Sequence, residues 1–168
     1  MDAEAIRDSI LTVSSKLNTK MHGRGFDFFD RRGGLSDYTA KVTFDTSGWR
    51  RMIYAHKIRM ESVDIFGAFD CPDAGQMTPR RNQSITPIQS LGLFNSPFAN
   101  RQATFFAERV RNELPDDLQQ CVELAFEVAL ARRPSAIEGN RMVELAKAHG
   151  LEQVCRVILN SSEFVFLH

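Results

Sequence analysis

The second half of the sequence carries a series of helix start signals, and these constrain the fold more than any other feature. Thr86 and Ser96 are each followed by proline, which is favoured at the first position of a helix. Ser135 precedes Glu138 with capping-box spacing, in which each side chain satisfies a free backbone donor. Pro115-Asp116 marks a further start. A chain punctuated in this way forms several short helices, so the sequence predicts a mainly helical fold.

Apolar residues that recur every three or four positions give the expected extent of the helices. The first has Asp2 as its N-cap and reaches about Asn18. Gly150 is a suitable residue to end the helix that follows Ser135. The other helices are expected over residues 62–68, 86–95, 97–113, 115–129, 136–149 and 151–160. The apolar tail over residues 164–167 must dock on the body of the protein.

Residues 38–44 and 51–60 alternate between apolar and polar side chains, as half-buried strands do. The short segment between them predicts an antiparallel hairpin, which must pack against helices because an isolated hairpin is marginal in water. Residues 21–36, rich in glycine and arginine, predict a loop held to the body by phenylalanines, namely Phe26, Phe28 and Phe29. The predicted fold class is mainly α with one short antiparallel β-hairpin (α+β), an irregular helical domain over residues 1–168.

Composition excludes several classes of function. The 168 residues carry no formal net charge at pH 7, whereas binding to nucleic acid or to an anionic membrane needs a basic surface. No apolar run approaches the roughly 20 residues of a membrane span. The amino terminus also lacks the pattern of a signal peptide. We therefore expect no nucleic-acid partner and no membrane span in this chain.

Three cysteines, Cys71, Cys121 and Cys155, lie far apart in the sequence. No CxxC or CxxCH motif is present, so the chain lacks a ligand set for a zinc knuckle or a covalent c-type haem. The simplest interpretation is three free structural thiols, because free cysteine behaves as a small apolar residue. The alternative is a Cys121–Cys155 disulfide, which requires two helices to bring these residues together. We expect no cofactor and no metal in this chain.

The most irregular segment, residues 69–81, contains the candidate binding residues Asp70, Asp73, Arg80 and Arg81. Two carboxylates can bind a hard cation or act as acid and base, while arginines hold an anionic substrate. In the simpler interpretation the arginines hydrogen-bond the aspartates and nearby carbonyls, and so hold the loop together. We favour this structural role, with an exposed binding surface as the first alternative and catalysis as the second.

The residues after this loop are explained by helix geometry. Thr86 and Gln89 match a capping box around Pro87, and Asn95 fits the end of the same helix. None of these four residues needs a substrate to explain it. We interpret them as a structural motif.

The histidines and the basic strand give weaker indications. His56 lies on the apolar face of the second predicted strand and is expected to be a satisfied core histidine, whereas His22 is more exposed. Neither has a second histidine at ligand spacing. Basic side chains on the other face of that strand predict a solvated surface that discourages edge pairing, or else one that docks an acidic partner.

Several of these segments together resemble a known family. The chain is similar to the C-terminal domain of unknown function found in large Planctomycetes proteins, the domain of unknown function 1553 family. The matching residues are Phe69-Asp70, Pro72-Asp73, Thr78, Arg80-Arg81, Thr86-Pro87-Ile88-Gln89 and Asn95-Ser96-Pro97. Further matches lie in ALARRPSAIE and VILNSSEFVF near the carboxyl end.

The resemblance implies a context more than a reaction. It implies an exported protein of the periplasm or cell envelope, in which this domain forms the C-terminal part beside a c-type cytochrome module. With no complete catalytic set in the sequence, our leading hypothesis is a non-catalytic structural or interaction domain whose partner is a protein or a neighbouring domain. The alternative is a hydrolase-like or carbohydrate-processing domain that uses Asp70, Asp73, Arg80 and Arg81.

Overall fold

The computed structural model describes residues 2–33, 37–41, 44, 46–56, 87–115 and 117–166. These residues include seven α-helices: α1 (Ala3–Val13), α2 (Pro87–Asn95), α3 (Pro97–Glu113), α4 (Leu118–Leu130), α5 (Ala136–His149), α6 (Leu151–Leu159) and α7 (Ser162–Val165). Four short strands precede α2: β1 (Phe26–Asp27), β2 (Phe29–Gly33), β3 (Asp37–Ala40) and β4 (Ala55–His56), with a 3-10 turn over Met52–Tyr54. The predicted mainly helical fold is confirmed.

The helices from α3 onward pack around α6. This helix contacts α3, α4 and α5, and its buried residues recur at helical spacing: Leu151, Val154, Cys155, Ile158 and Leu159. Burying a leucine or isoleucine side chain in this way contributes about 1.5–3 kcal/mol. After α6, Phe164 and Val165 of α7 are buried against the same core, so this part of the apolar tail docks as predicted.

Most predicted helix starts agree with the structure. The Ser96 hydroxyl accepts a hydrogen bond from the Ala99 amide at 3.3 Å. Ser135 and Glu138 form the predicted capping box. The start of α4 differs, because Asp117 is the residue whose carboxylate accepts the first free amides. This helix therefore begins later than the Pro115-Asp116 signal predicts.

A cluster of charges joins α7 to the connection between α4 and α5. The Arg132 guanidinium lies 2.9 Å from a Glu138 carboxylate oxygen and 2.6 Å from one of Glu163. These charge-assisted bonds lower the pKa of Glu138 to about 2, with Arg132 as the largest cause. Arg132 thus links Glu138, in the capping box of α5, to Glu163 in the carboxyl-terminal segment.

The first helix is shorter than predicted. It ends at Val13 rather than near Asn18, because Ser15 takes a left-handed backbone conformation with φ of +57°. The next two amides then bond back to the Leu11 carbonyl at 2.8 and 3.0 Å. Asp2 occupies the N-cap position, but its side chain makes no capping hydrogen bond.

The predicted antiparallel hairpin between residues 38–44 and 51–60 is wrong. The first segment supplies β3, which pairs antiparallel with β2, with Phe29 opposite Ala40. The second is not a continuous strand: Met52–Tyr54 form the 3-10 turn, and among its described residues only Ala55–His56 form a strand, β4, which pairs parallel with β1. Alternation of side chains marks extended backbone but does not select its partner, and the segment predicted as a loop provides both partners. Residues 57–60 and the predicted helix over 62–68 lie outside the described residues.

Phenylalanines from residues 26–44 fix this region to the body. Phe26, Phe28 and Phe29 are buried, as predicted. The Phe28 ring meets those of Phe26 and Phe44 edge to face, with centroids 5.3 and 5.5 Å apart. The small strands thus pack on the helical core through these phenylalanines.

Cys121 and Cys155 are free and buried, in agreement with the prediction of structural thiols, whereas Cys71 lies outside the described residues. Burial raises the pKa of both thiols. In the described part of the chain, no helix has the length and apolar character needed to cross a bilayer.

Candidate functional site

The candidate binding residues predicted from the sequence lie outside the described part of the chain; they are Asp70, Asp73, Arg80 and Arg81. The same holds for the cap residue Thr86. α2 begins at Pro87, includes Gln89 and ends at the exposed Asn95. The interpretations of the loop over residues 69–81 therefore stay predictions.

Within the described residues, polar groups concentrate where residues 18–30 meet residues 44–56. Arg7 begins this arrangement from the buried face of α1, where its side chain is almost fully buried. Its guanidinium donates to the carbonyl of Arg50 at 2.8 Å and to that of Gly48. One side chain of α1 thus holds the segment that leads into the 3-10 turn.

Aromatic rings enclose the same guanidinium. Its central carbon lies 5.0 to 5.6 Å from the ring centroids of Phe26, Phe28 and Phe98. Burial lowers the pKa of Arg7 to about 10, while the neighbouring Asp8 acts in the opposite direction. Arg7 stays protonated at neutral pH because this value is far above 7. It is a buried cation stabilised by carbonyl dipoles and ring faces.

Arg50 continues the arrangement into the glycine-rich loop. Its guanidinium donates to three alternate carbonyls, those of Lys20 (2.8 Å), His22 (2.7 Å) and Arg24 (2.7 Å). The central carbon of this guanidinium also lies over the Tyr54 ring, 3.8 Å from its centroid. With only 6% of its surface exposed, Arg50 directs its donors to the backbone rather than to solvent.

Two glycines permit this loop conformation. Gly23 has φ of +83°, a left-handed conformation that side chains rarely adopt. A Cβ atom at Gly25 would collide with the Tyr54 carbonyl oxygen. The Tyr54 hydroxyl, in turn, accepts a hydrogen bond from the His22 amide at 3.0 Å. The glycines therefore allow the loop to wrap closely around Arg50 and Tyr54.

A cavity of about 790 Å³ opens beside the loop, and we call it the basic cavity. Its charged lining residues are Lys20, Arg24, Asp27, Asp30, Lys41 and Arg50. These are four cations and two carboxylates, an excess of two positive charges in a chain with no net charge. The Lys41 ammonium nitrogen lies 3.9 Å from a carboxylate oxygen of Asp30. The Asp27 carboxylate accepts a hydrogen bond from the Phe29 amide at 3.3 Å. Both carboxylates are thus engaged by neighbouring groups.

A second cavity, of about 690 Å³, lies against β1 and β4. Asp27 and His56, which are register partners in the parallel strands, both line it. His56 is exposed, so the prediction of a core histidine is wrong. Its strand pairs at the surface instead of contributing to an apolar sheet face.

The described residues contain no group of three or more His, Cys, Asp or Glu side chains placed to hold a metal ion. The basic cavity offers cationic donors that suit a negatively charged group. The lining of this cavity therefore suits a negatively charged group in charge.

Sequence reasoning missed both organising arginines. Arg7 follows Ala3 by four residues and precedes Ile10 by three, so the helical period places it among buried apolar residues. That was a usable signal, because an arginine on an apolar face must find partners. Arg50 had no such signal, since its acceptors are backbone carbonyls 26 to 30 residues away.

Comparison with known proteins identifies the family of this chain. The family model described as "PSD1: Protein of unknown function (DUF1553)" matches residues 1–146. No curated protein and no solved structure matches the chain.

Proposed function

We propose that this chain, which belongs to the PSD1 family of unknown function (DUF1553), is a non-catalytic structural or interaction domain of a larger envelope-associated, cytochrome-linked protein. The envelope location, the C-terminal position and the cytochrome partner are what the resemblance of residues 69–97 implies.

One observation carries the non-catalytic part of the proposal. Both buried arginines direct their guanidinium groups at backbone carbonyls, Arg7 at residues 48 and 50 and Arg50 at residues 20, 22 and 24. Donors used in this way set backbone shape and are not available to a reacting group. Such a framework suits a domain that presents a fixed surface to a neighbour.

Titration of the purified chain with the purified c-type cytochrome module that accompanies it tests the interaction. Isothermal calorimetry is expected to give saturable binding with one-to-one stoichiometry. A matched titration with an unrelated c-type cytochrome is the control, and we expect no saturable heat from it. Equal binding of both cytochromes, or of neither, would contradict a specific interaction.

A second measurement addresses the hydrolase-like alternative. The chain is assayed against chromogenic glycosides and esters, and we expect no turnover above that of heat-denatured protein. Turnover that Asp70→Asn or Asp73→Asn abolishes, while the variants keep the parent melting temperature, would overturn the non-catalytic proposal in favour of an enzyme.

A further inference from the structure

We propose that the basic cavity binds a doubly charged oxyanion group, a phosphate or a sulfate, through the side chains of Lys20 and Arg24. This site goes beyond the proposed structural or interaction role and does not depend on it.

Charge is the first argument. The lining has two more cations than carboxylates, and Asp30 already lies beside Lys41. The side chains of Lys20 and Arg24 are exposed and have no hydrogen-bond or ion-pair partner among the described residues. Two unpaired cations at the wall of one cavity raise the local concentration of anions. They match a dianion in charge.

Loop geometry is the second argument. The carbonyls of residues 20, 22 and 24 all point to the Arg50 guanidinium. In a trans peptide the N–H of the next residue points the opposite way, and the described residues contain no cis peptide bond. The amides of Met21, Gly23 and Gly25 therefore face away from Arg50. Gly23 and Gly25 line the basic cavity, and in the proposed site their amides supplement the two side chains, as backbone concavities that bind anions do.

Rigidity and space are the third argument. The four donor contacts of Arg50 fix the backbone from which Lys20 and Arg24 project, so a ligand meets a loop that is already ordered. A Cβ atom at Gly23 would have no heavy atom within 4 Å, which shows open space at the centre of the loop. The cavity has room for a compact group and a small molecule attached to it, but it is not an extended basic surface.

Calorimetric titration with inorganic phosphate and with inorganic sulfate tests the site. We expect saturable binding of at least one ion by the parent chain, weaker at higher ionic strength. Lys20→Gln with Arg24→Gln is expected to weaken it by at least about tenfold. The matched control is Arg141→Gln with Lys147→Gln, which removes the same two charges from the exposed face of α5, away from the cavity. It is expected to bind like the parent.

No saturable binding of either ion, or an equal loss of binding in both double variants, would overturn the site.

A third double variant, Lys20→Arg with Arg24→Lys, keeps both charges and is expected to retain binding. If it loses binding as fully as the glutamine pair while keeping the parent melting temperature, recognition by charge is refuted. Repeating the titration with a phosphorylated and a sulfated monosaccharide identifies the source. Tighter binding than the matching inorganic ion supports an ester ligand, and equal binding supports the free ion.

Discussion

The Arg7 guanidinium donates to the backbone carbonyl of Arg50 at 2.8 Å, so one buried arginine positions the residue that carries the other. Arg50 then gathers three carbonyls of the loop over residues 20–24. The two side chains form a relay from the helical core to the surface loop. The shape of the basic cavity therefore depends on a residue of α1 that does not line it.

Replacing Arg7 with methionine tests the first link of this relay. Arg7→Met keeps most of the side-chain volume but removes the guanidinium donors from the carbonyls of Gly48 and Arg50, so we expect a loss of about 2–4 kcal/mol in the free energy of unfolding. Urea denaturation measures it. Arg51→Met is the control, because Arg51 is mostly exposed and should change stability by less than about 0.5 kcal/mol. Equal losses in the two variants would contradict the relay.

Arg50→Lys tests the second link while keeping the charge. A lysine ammonium cannot reproduce the planar fork that reaches three carbonyls, and we expect a loss of about 1.5–3 kcal/mol. The loosened loop should also be cut faster by trypsin after Lys20 and Arg24 in the native protein. Arg101→Lys, at an exposed position of α3, is the control. Unchanged cleavage and stability in Arg50→Lys would show that the carbonyl contacts do not order the loop.

The charge cluster around Arg132 predicts a pH dependence. The pKa of Glu138 falls from its ordinary value near 4.5 to about 2 in the folded chain. Because the folded value is the lower one, the stabilisation is complete above pH 4.5 and is lost as the pH falls toward 2. Glu138→Gln should therefore melt below the parent at pH 7, and the difference should shrink as the pH falls through this window.

Glu144→Gln is the matched control for that measurement, since Glu144 lies on the exposed face of the same helix. The melting temperature of Glu144→Gln should equal that of the parent at every pH measured. A difference in melting temperature between Glu138→Gln and the parent that stays constant with pH would contradict the ionic coupling to Arg132. Glutamine at this position can still accept a hydrogen bond from the Ser135 amide, so the capping box is kept and the comparison isolates the charge of Glu138. A Glu138→Gln variant as stable as the parent at neutral pH would also count against the ionic role.

The success of sequence reasoning follows the range of the interactions. Ser96 and the pair Ser135–Glu138 act within one turn, and a local pattern is enough to predict them. Strand pairing is nonlocal, so alternation over residues 38–44 found extended backbone but not its partner β2. The basic cavity is less predictable still, because its loop is shaped by hydrogen bonds from the Arg50 guanidinium to backbone carbonyls. Every residue has a backbone carbonyl, so the sequence does not indicate which ones Arg50 binds. The resemblance to the family was found from the loop motif and the helix starts, and the family model matches residues 1–146.

The loop over residues 69–81 can be tested with the same logic. If Arg81 hydrogen-bonds Asp70, Asp73 or loop carbonyls, Arg81→Ala leaves an acceptor without its donor and should lower the free energy of unfolding by roughly 1–3 kcal/mol. Asp70→Asn should shift the melting temperature in the same direction, whereas Arg141→Ala on α5 should leave it unchanged. Melting at the parent temperature in both loop variants would refute the structural interpretation. Those charges would then be available to a ligand, and titration of the loop would follow.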